Sequence, residues 1–265
     1  MLLDAPALAH GTSHELIEAA TRAITEKPQD AALYLRRAFL HLEHGDWNAC
    51  LIDVNEAERR QTQDIGAGLL RGRALAAGGR FAEARVVLDT LVASHPDHPP
   101  ALMQRARVLG ALEEKAQAAD EFVRAMSLVE QPEPDHVFEL VSFLRAAGRD
   151  ADALAAIDKA LGRMRGLQSL VDRAVEIEMK LGRHDAALHR MDEAIQGASA
   201  KEPLFAKRAS LLARAGRTRE SLAEWKALQE RIRAMPAAER GSHAMSRLIE
   251  QAHHAAGALA SIPSP

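Results

Sequence analysis

The sequence has one cysteine, few aromatic residues and no long apolar run, and each shortage excludes a class of protein. Cys50 has no second cysteine with which to form an internal disulfide, so we interpret it as a small core residue. Aromatic residues make up 3% of the 265 residues, which disfavours β-sheets because strands prefer aromatic and β-branched side chains. No apolar run approaches the roughly 20 residues that cross a bilayer, so we expect no membrane span.

An excess of one charge is also missing. The chain has 34 basic and 37 acidic residues, spread along its whole length, and a formal net charge of −3. This balance creates no positive field that would collect a phosphate backbone, so we expect no nucleic acid partner. The 47% of apolar residues, with alanine recurring throughout, predict an ordered chain that is helical from end to end.

The short motifs of enzymes are absent as well. There is no GxGxxG string, no GxxxxGK string, no GxSxG elbow and no HExxH pair. Twelve histidines invite a metal hypothesis, but His41 with His44 and His95 with His98 lack the companion ligands of known sites. We therefore predict no catalytic residue, no cofactor and no metal.

The main feature of the sequence is a short motif that occurs six times. Its copies begin HGDWNACL at His44, GGRFAEAR at Gly78, LEEKAQAA at Leu112, AGRDADAL at Ala147, LGRHDAAL at Leu181 and AGRTRESL at Ala215. The second residue is glycine in five copies and Glu113 in the third, at positions 45, 79, 113, 148, 182 and 216, which are spaced by 34 or 35 residues. Glycine at this point predicts a left-handed residue at the end of a helix, so we expect the turn at Glu113 to be the least regular.

Small and large residues recur at fixed distances from this turn. The small sites are Ala38, Gly72, Ala106, Val141, Val175 and Ala209 before it and Cys50, Ala84, Ala118, Ala153, Ala187 and Ser221 after it. The large apolar sites are Tyr34, Leu102, Val137, Val171 and Phe205 before it and Val54, Leu88, Phe122, Ile157, Met191 and Trp225 after it. This alternation predicts pairs of helices that cross closely at the small residues and fill the remaining space with the large ones.

A helix-turn-helix unit that repeats about every 34 residues resembles the tetratricopeptide repeat (TPR) of the bacterial type. The resemblance covers roughly residues 14 to 234. The resemblance implies an all-α, right-handed superhelical solenoid of about six units, with an N-terminal half unit and a C-terminal capping helix. The expected units lie near residues 31–64, 65–98, 99–133, 134–167, 168–201 and 202–235, within an array at 13–234. Residues 236–260 are expected to form the capping helix, and 261–265 a tail.

The first residues leave two interpretations open. Residues 1–12 are either a flexible start or the remainder of an export signal, because Ala7-Leu8-Ala9 has the small-x-small form of a cleavage site. As the sequence stands we expect a cytoplasmic protein, and a periplasmic one if an upstream signal is missing. In the second case His10 would become the first residue, and it could hold a metal together with His14.

In the family that it resembles, the first helix of each unit lines a concave face that binds other proteins. Carried over position by position, the predicted partner-binding residues are Leu35, Arg36, Phe39, Leu69, Arg73, Met103, Arg107, Phe138, Ser142, Arg145, Asp172, Glu176 and Lys207. Arginine beside apolar side chains suits a protein or peptide with an acidic or C-terminal segment. Family members that grip chaperone tails have lysine and asparagine where this chain has Leu35 and Phe39, so that clamp is absent.

The resemblance therefore implies a non-enzymatic protein- or peptide-binding scaffold. The alternative is an exported TPR factor that assists metal handling or the assembly of an envelope complex. The sequence leaves the partner, the pathway and the formation of a homo-oligomer open.

Overall fold

The computed structural model describes residues 5–61, 64–164 and 167–260. Within these ranges the chain forms fifteen α-helices and no strand, so the predicted all-α fold is confirmed. The chain divides into two compact units, Met1–Arg149 and Asp150–Pro265, which we call the N-terminal and C-terminal units. No helix of the described residues is both long and apolar enough to cross a membrane.

The N-terminal unit contains eight helices among its described residues. They are α1 (Ala5–Glu26), α2 (Ala31–Glu43), α3 (Trp47–Arg60), α4 (Ile65–Ala77), α5 (Phe81–Ser94), α6 (Pro99–Ala111), α7 (Lys115–Ser127) and α8 (Pro134–Ala146). Helices α2 and α3, α4 and α5, and α6 and α7 pack as hairpins. The helix α1 begins upstream of the predicted start at Ser13 and packs on α2.

The C-terminal unit contains seven helices among its described residues. They are α9 (Asp150–Leu161), α10 (Gln168–Lys180), α11 (His184–Gly197), α12 (Glu202–Arg214), α13 (Thr218–Ala234), α14 (Ala237–Arg240) and α15 (His243–Ala260). Helices α10 and α11, and α12 and α13, again pack as hairpins. The helices α2, α4, α6, α8, α10 and α12 each begin at the residue where the sequence period starts a repeat, and we call them the first helices.

Local chemistry explains where the first helices begin. Asp30 accepts a hydrogen bond from the backbone N–H of Ala32 at 3.0 Å, and Asp64 caps α4 in the same way through Ala67. The α6 helix is capped by a ring nitrogen of His98, which accepts from the N–H of Ala101 at 3.3 Å. Such caps satisfy N–H groups that have no partner within the helix.

The turns within the hairpins share one backbone conformation, and one prediction about them is wrong. Gly45, Gly79, Gly148, Gly182 and Gly216 have φ between 70° and 86°, as the sequence predicts. Glu113 has φ 62°, and its turn is as regular as the others. The N–H groups of Glu113 and Glu114 donate to carbonyls of α6 at 3.1 and 2.9 Å, the same pattern as at Gly79 and Arg80. The hydrogen bonds of the turn therefore outweigh the cost of left-handed glutamate, about 1–2 kcal/mol.

The predicted small sites are buried where helices pack. Ala38, Ala84, Ala106 and Ala118 are fully buried, and so are Ala187, Ala209 and Ser221 in the C-terminal unit. At Gly72 an added Cβ would lie 2.7 Å from a methyl group of Leu88 and 2.8 Å from its Cγ. The small residues are thus required by contact between the helices rather than by helix propensity.

A recurring arginine ties neighbouring helices together. It occupies one position of the repeat, and its partners lie 16 residues before or after it in the chain. The pairs are Arg37 with Asp53 and Thr21, Arg71 with Asn55, Arg105 with Glu121 and Asp89, and Arg208 with Glu224 and Asp192. These contacts give the four arginines a structural role.

The segment expected to form one capping helix, residues 236–260, contains the short helix α14 and the longer helix α15, and α15 packs on α13. Ala252 of α15 is fully buried with Trp225, Leu228 and Ile232 of α13. The half-buried apolar residues that surround this cluster include Met245, Leu248, Ile249 and Ala256. A terminal repeat needs such a cover because its outer side would otherwise expose apolar surface to water.

Candidate partner-binding site

In each unit the exposed residues of the first helices form a face, which we call the first-helix face of that unit. In the N-terminal unit it combines apolar and basic groups, as predicted. Phe39 is 44% exposed, and the guanidinium of Arg73 lies over its ring at 5.9 Å from the ring centroid. Leu35 and Leu69 are half-buried, and Arg36 is exposed.

One predicted residue of this face is not exposed. Met103 is only 5% exposed, because it is enclosed in the interior of the hairpin region around α6, where Leu102 and Ala106 are also buried. The sequence interpretation of Met103 as an apolar contact open to a partner is therefore corrected. The neighbouring Gln104 is 7% exposed, and its side-chain oxygen accepts a hydrogen bond from Arg107 at 3.2 Å.

Two arginines of this face, Arg73 and Arg107, are paired with carboxylates of adjacent first helices. Arg73 contacts Glu43 at 3.0 Å. Arg107 donates two hydrogen bonds to Glu139, at 2.6 and 2.7 Å, and this contact raises the pKa of the arginine. Paired guanidinium groups present less net positive charge than the sequence suggests, although their hydrogen-bonding planes remain at the surface.

A shallow apolar notch lies between α6 and α8 beside the Arg107–Glu139 pair. It has a volume of about 440 Å³, and its lining includes Gly110, Phe143 and Ser142. An added Cβ at Gly110 would lie 2.7 Å from the ring of Phe143, so only glycine lets the ring pack against α6. Phe138 is half-buried on the same helix, and its carbonyl accepts from the hydroxyl of Ser142 at 2.8 Å. Arg145, one turn further, is half-buried and already engaged in a polar interaction.

In the C-terminal unit the face carries cross-helix pairs of both signs. Lys207 contacts Asp172 at 2.6 Å. Arg214 donates to both oxygens of Glu176, at 2.6 and 2.8 Å, and its pKa is raised by this contact. The predicted residues Asp172, Glu176 and Lys207 are thus brought together across α10 and α12.

These pairs surround a pocket of about 530 Å³. Its lining comprises Asp172, Val175, Glu176, Met191, Pro203, Ala206, Lys207, Ser210, Leu211, Arg214, Leu248 and Gln251. Val175, Met191 and Leu211 are at most 4% exposed and form an apolar floor. The contribution of Leu248 and Gln251 could not be found from the repeat pattern, because α15 lies outside the period.

The histidines singled out for metal binding have other contacts in the described residues. His98 caps α6, and a ring nitrogen of His95 lies 3.3 Å from the carbonyl of Leu91. The rings of His14 and His44 meet edge to face with centroids 4.8 Å apart, and His41 lies 3.8 Å from Asp53. The side chain of His10 lies outside the described residues.

Helical hairpins joined by left-handed turns, with ion-paired first helices beside open notches, define an α-helical repeat protein. A family model described as Tetratricopeptide repeat matches residues 65–108. A tetratricopeptide repeat protein from Parabacteroides merdae superposes with TM-score 0.53 at 14% identity, over 93% of this chain and 94% of that one. A thermophilic TPR protein from Thermus thermophilus gives TM-score 0.53 at 23% identity, over 65% and 93%.

The C-terminal part of a TPR repeat-containing protein from Cytophaga hutchinsonii is similar in fold as well. Its TM-score is 0.54 at 13% identity, over 97% of this chain and 93% of that one. No curated protein sequence matches the chain. The chain therefore has the fold of tetratricopeptide repeat proteins, and its residues 65–108 match the family's model.

Proposed function

We propose that this protein is a non-enzymatic scaffold that holds a segment of another protein against its first-helix face, with the main anchor in the pocket of the C-terminal unit. The observation that carries the proposal is the composition of that pocket. Its floor is apolar, whereas its rim offers carboxylates, cations, Ser210 and Gln251. An apolar side chain can fill the floor while the rim hydrogen-bonds the backbone around it, which is how a few anchors carry most binding energy.

Pairing of the rim charges bears on which segment binds. The rim carries equal numbers of positive and negative charges, in the pairs Asp172 with Lys207 and Glu176 with Arg214. This pocket therefore favours an apolar anchor whether the peptide residues beside it are acidic or basic. In the N-terminal unit, an acidic or C-terminal segment would exchange with Glu43 or Glu139 for the guanidinium groups of Arg73 and Arg107. We propose that this exchange is the source of any preference for acidic segments, because each guanidinium group keeps a carboxylate partner when the peptide replaces the glutamate.

The first experiment selects peptides from a random display library on the purified protein and measures their affinity by fluorescence polarisation. We expect the selected peptides to share an apolar anchor. Ser210→Phe fills the pocket and should weaken binding about tenfold or more, since it displaces the anchor. Ala223→Phe adds the same side chain at an exposed position of α13 and should leave the affinity unchanged. Binding that is indifferent to Ser210→Phe would contradict the proposal.

A second experiment tests the carboxylate exchange. The double variant Glu43→Gln, Glu139→Gln removes the internal competitors without changing side-chain size, so acidic peptides should bind about tenfold more tightly. The control Glu83→Gln removes an acidic group that is about as exposed as Glu43 and pairs only locally with Arg80. Equal affinity of acidic and neutral peptides for the double variant would refute the exchange and leave the pocket proposal standing.

A further inference from the structure

Among the described residues, four ionisable side chains line the pocket of the C-terminal unit, and each is paired with a group of opposite charge. Asp172 lies 2.6 Å from Lys207, and Glu176 lies 2.6 Å from Arg214. These four side chains are between 38% and 53% exposed, so both pairs are open to a ligand. The rim therefore has no net charge, but at two places it presents a hydrogen-bond acceptor beside a donor.

A paired rim of this kind discriminates against charged groups of a ligand. A carboxylate that contacts Lys207 also meets Asp172, and an ammonium group that contacts Asp172 also meets Lys207. Either group would gain little Coulomb energy and would lose part of its hydration shell. A primary amide, as in asparagine and glutamine, has an acceptor oxygen and a donor nitrogen side by side. It can donate to the carboxylate and accept from the cation of one pair without separating the two.

The protein itself contains amides that join ion pairs in this way. The amide nitrogen of Gln168 donates to one oxygen of Asp172 at 3.0 Å, while the other oxygen of Asp172 stays on Lys207. In the N-terminal unit, the amide oxygen of Gln104 accepts from Arg107 at 3.2 Å, while Arg107 keeps its two bonds to a carboxylate of α8. The first contact uses the donor half of an amide and the second uses the acceptor half, so both halves of the bridging contact occur in the structure.

We propose that the segment bound in this pocket carries an asparagine or glutamine within two residues of its apolar anchor, and that this amide bridges Asp172 and Lys207. The inference rests on the proposed function, because it names the chemistry of the segment that the scaffold holds. One bond joins Lys207 to Asp172, whereas two parallel bonds join Arg214 to Glu176, so the lysine pair adjusts more easily to a ligand.

The spacing of the pocket residues suits such a segment. The floor residue Val175 follows Asp172 by less than one turn of α10, which is about 5.4 Å along the helix axis. In an extended segment, a residue two positions from the anchor lies about 7 Å from it and points to the same face. An amide at that distance therefore reaches the ion pair while the anchor fills the floor.

Selection from a display library tests the proposal, with a central leucine fixed and the two residues on each side of it randomised. We expect asparagine and glutamine to be enriched at one or more of the randomised positions. In the tightest binder, replacement of this amide by glutamate or by lysine should weaken binding about tenfold, measured by fluorescence polarisation. A glutamine placed four residues from the leucine is the matched control, and its replacement should have little effect.

A variant of the protein tests whether the amide contacts the predicted pair. Lys207→Met removes the cation and leaves the carboxylate, so the lysine form of the peptide should now bind more tightly than the glutamine form. Lys226→Met removes an exposed cation of α13 outside the pocket lining and should keep the preference for glutamine. Circular dichroism checks that both variants are folded.

The outcomes separate this inference from the proposed function. Peptides that need the leucine and lose affinity with Ser210→Phe, but bind equally with glutamine, glutamate or lysine near it, would overturn the inference and leave the pocket proposal standing. An unchanged preference for glutamine in Lys207→Met would overturn the inference as well. A library that yields no binder would overturn both.

Discussion

Helices α4 and α6 occupy equivalent places in consecutive repeats, but they have residues of different size at the positions that pack against the neighbouring helix. The α6 helix has Leu102 and Ala106 where α4 has Gly68 and Gly72. Leu102 is fully buried and fills the space beside its hairpin, whereas Gly68 leaves a groove there. At Gly72 the space is filled from the neighbouring helix instead. Leu88 of α5 lies so close to α4 that only glycine fits there.

A repeat can therefore place the side chain that fills a given space on either of its two helices. Each glycine costs α4 about 1 kcal/mol of helix propensity relative to alanine. At Gly72 this cost is offset by the close approach of Leu88, which is fully buried. At Gly68 the contact is looser, since an added Cβ would lie 3.2 Å from a terminal methyl group of Leu91 beside the open groove.

Leu102→Gly should have the largest effect, because it gives α6 the gap that α4 has. We expect a loss of about 4 kcal/mol of unfolding free energy, since it removes a fully buried leucine and adds a helical glycine. Urea denaturation followed by circular dichroism measures the change. The control Leu102→Met keeps the volume and should cost less than about 1.5 kcal/mol. A small loss in Leu102→Gly would mean that the third repeat adapts as freely as the second.

Gly72→Ala should destabilise the protein by about 2 kcal/mol although alanine favours helices. The new Cβ would lie 2.7 and 2.8 Å from Cδ2 and Cγ of Leu88, and the branch point of a fully buried leucine cannot easily move. The measurement is again the urea midpoint. The reverse change in the third repeat, Ala106→Gly, should cost about 1–2 kcal/mol, through helix propensity and the loss of a fully buried methyl group. Stabilisation by Gly72→Ala would show that the helix crossing is looser than the structure describes.

Glu113→Gly should stabilise the third repeat by about 1 kcal/mol. It gives the turn after α6 the glycine that the turn after α4 already has, and so relieves a left-handed glutamate at φ 62°. The exposed contact of Glu113 with Lys115 contributes little to this balance. Thermal unfolding should show a higher midpoint, and Gly79→Glu should lower it. An unchanged midpoint in both variants would mean that the left-handed turn imposes no strain.

Gly68→Ala should have the smallest effect, a stabilisation of about 0.5 kcal/mol. Its Cβ would lie 3.2 Å from a terminal methyl of Leu91, which is half-buried beside the open groove and can turn into it. The gain in helix propensity therefore exceeds the cost of contact. Thermal unfolding of Gly68→Ala beside Gly72→Ala gives the contrast directly, with opposite signs expected. A destabilised Gly68→Ala would show that Leu91 is fixed in place.

Much of the fold follows from the sequence because the period repeats the same contacts. The glycine positions locate the turns, and the small residues locate the crossings. Glu113 was predicted wrongly because a residue preference is a weak constraint beside two hydrogen bonds that the flanking helices impose. The gap at Gly68 was visible in the sequence, as the one missing member of a series of large residues, but its chemistry depends on Val86 and Leu91 of another helix.

The first-helix face was predictable in its positions but not in its charges. Arg107 and Arg214 find partners 32 and 38 residues away, and those contacts depend on how adjacent repeats are rotated. A period locates a residue on the first helix without fixing that rotation.

The lone thiol has a practical consequence. Cys50 is fully enclosed at the crossing of α2 and α3, and burial raises the pKa of its thiol to about 11. At neutral pH the thiol is protonated and buried, so it should not react with maleimide dyes or thiol-reactive spin labels. The unaltered chain should therefore take up no thiol-reactive label. A cysteine introduced at a chosen surface position would then carry the only attached probe.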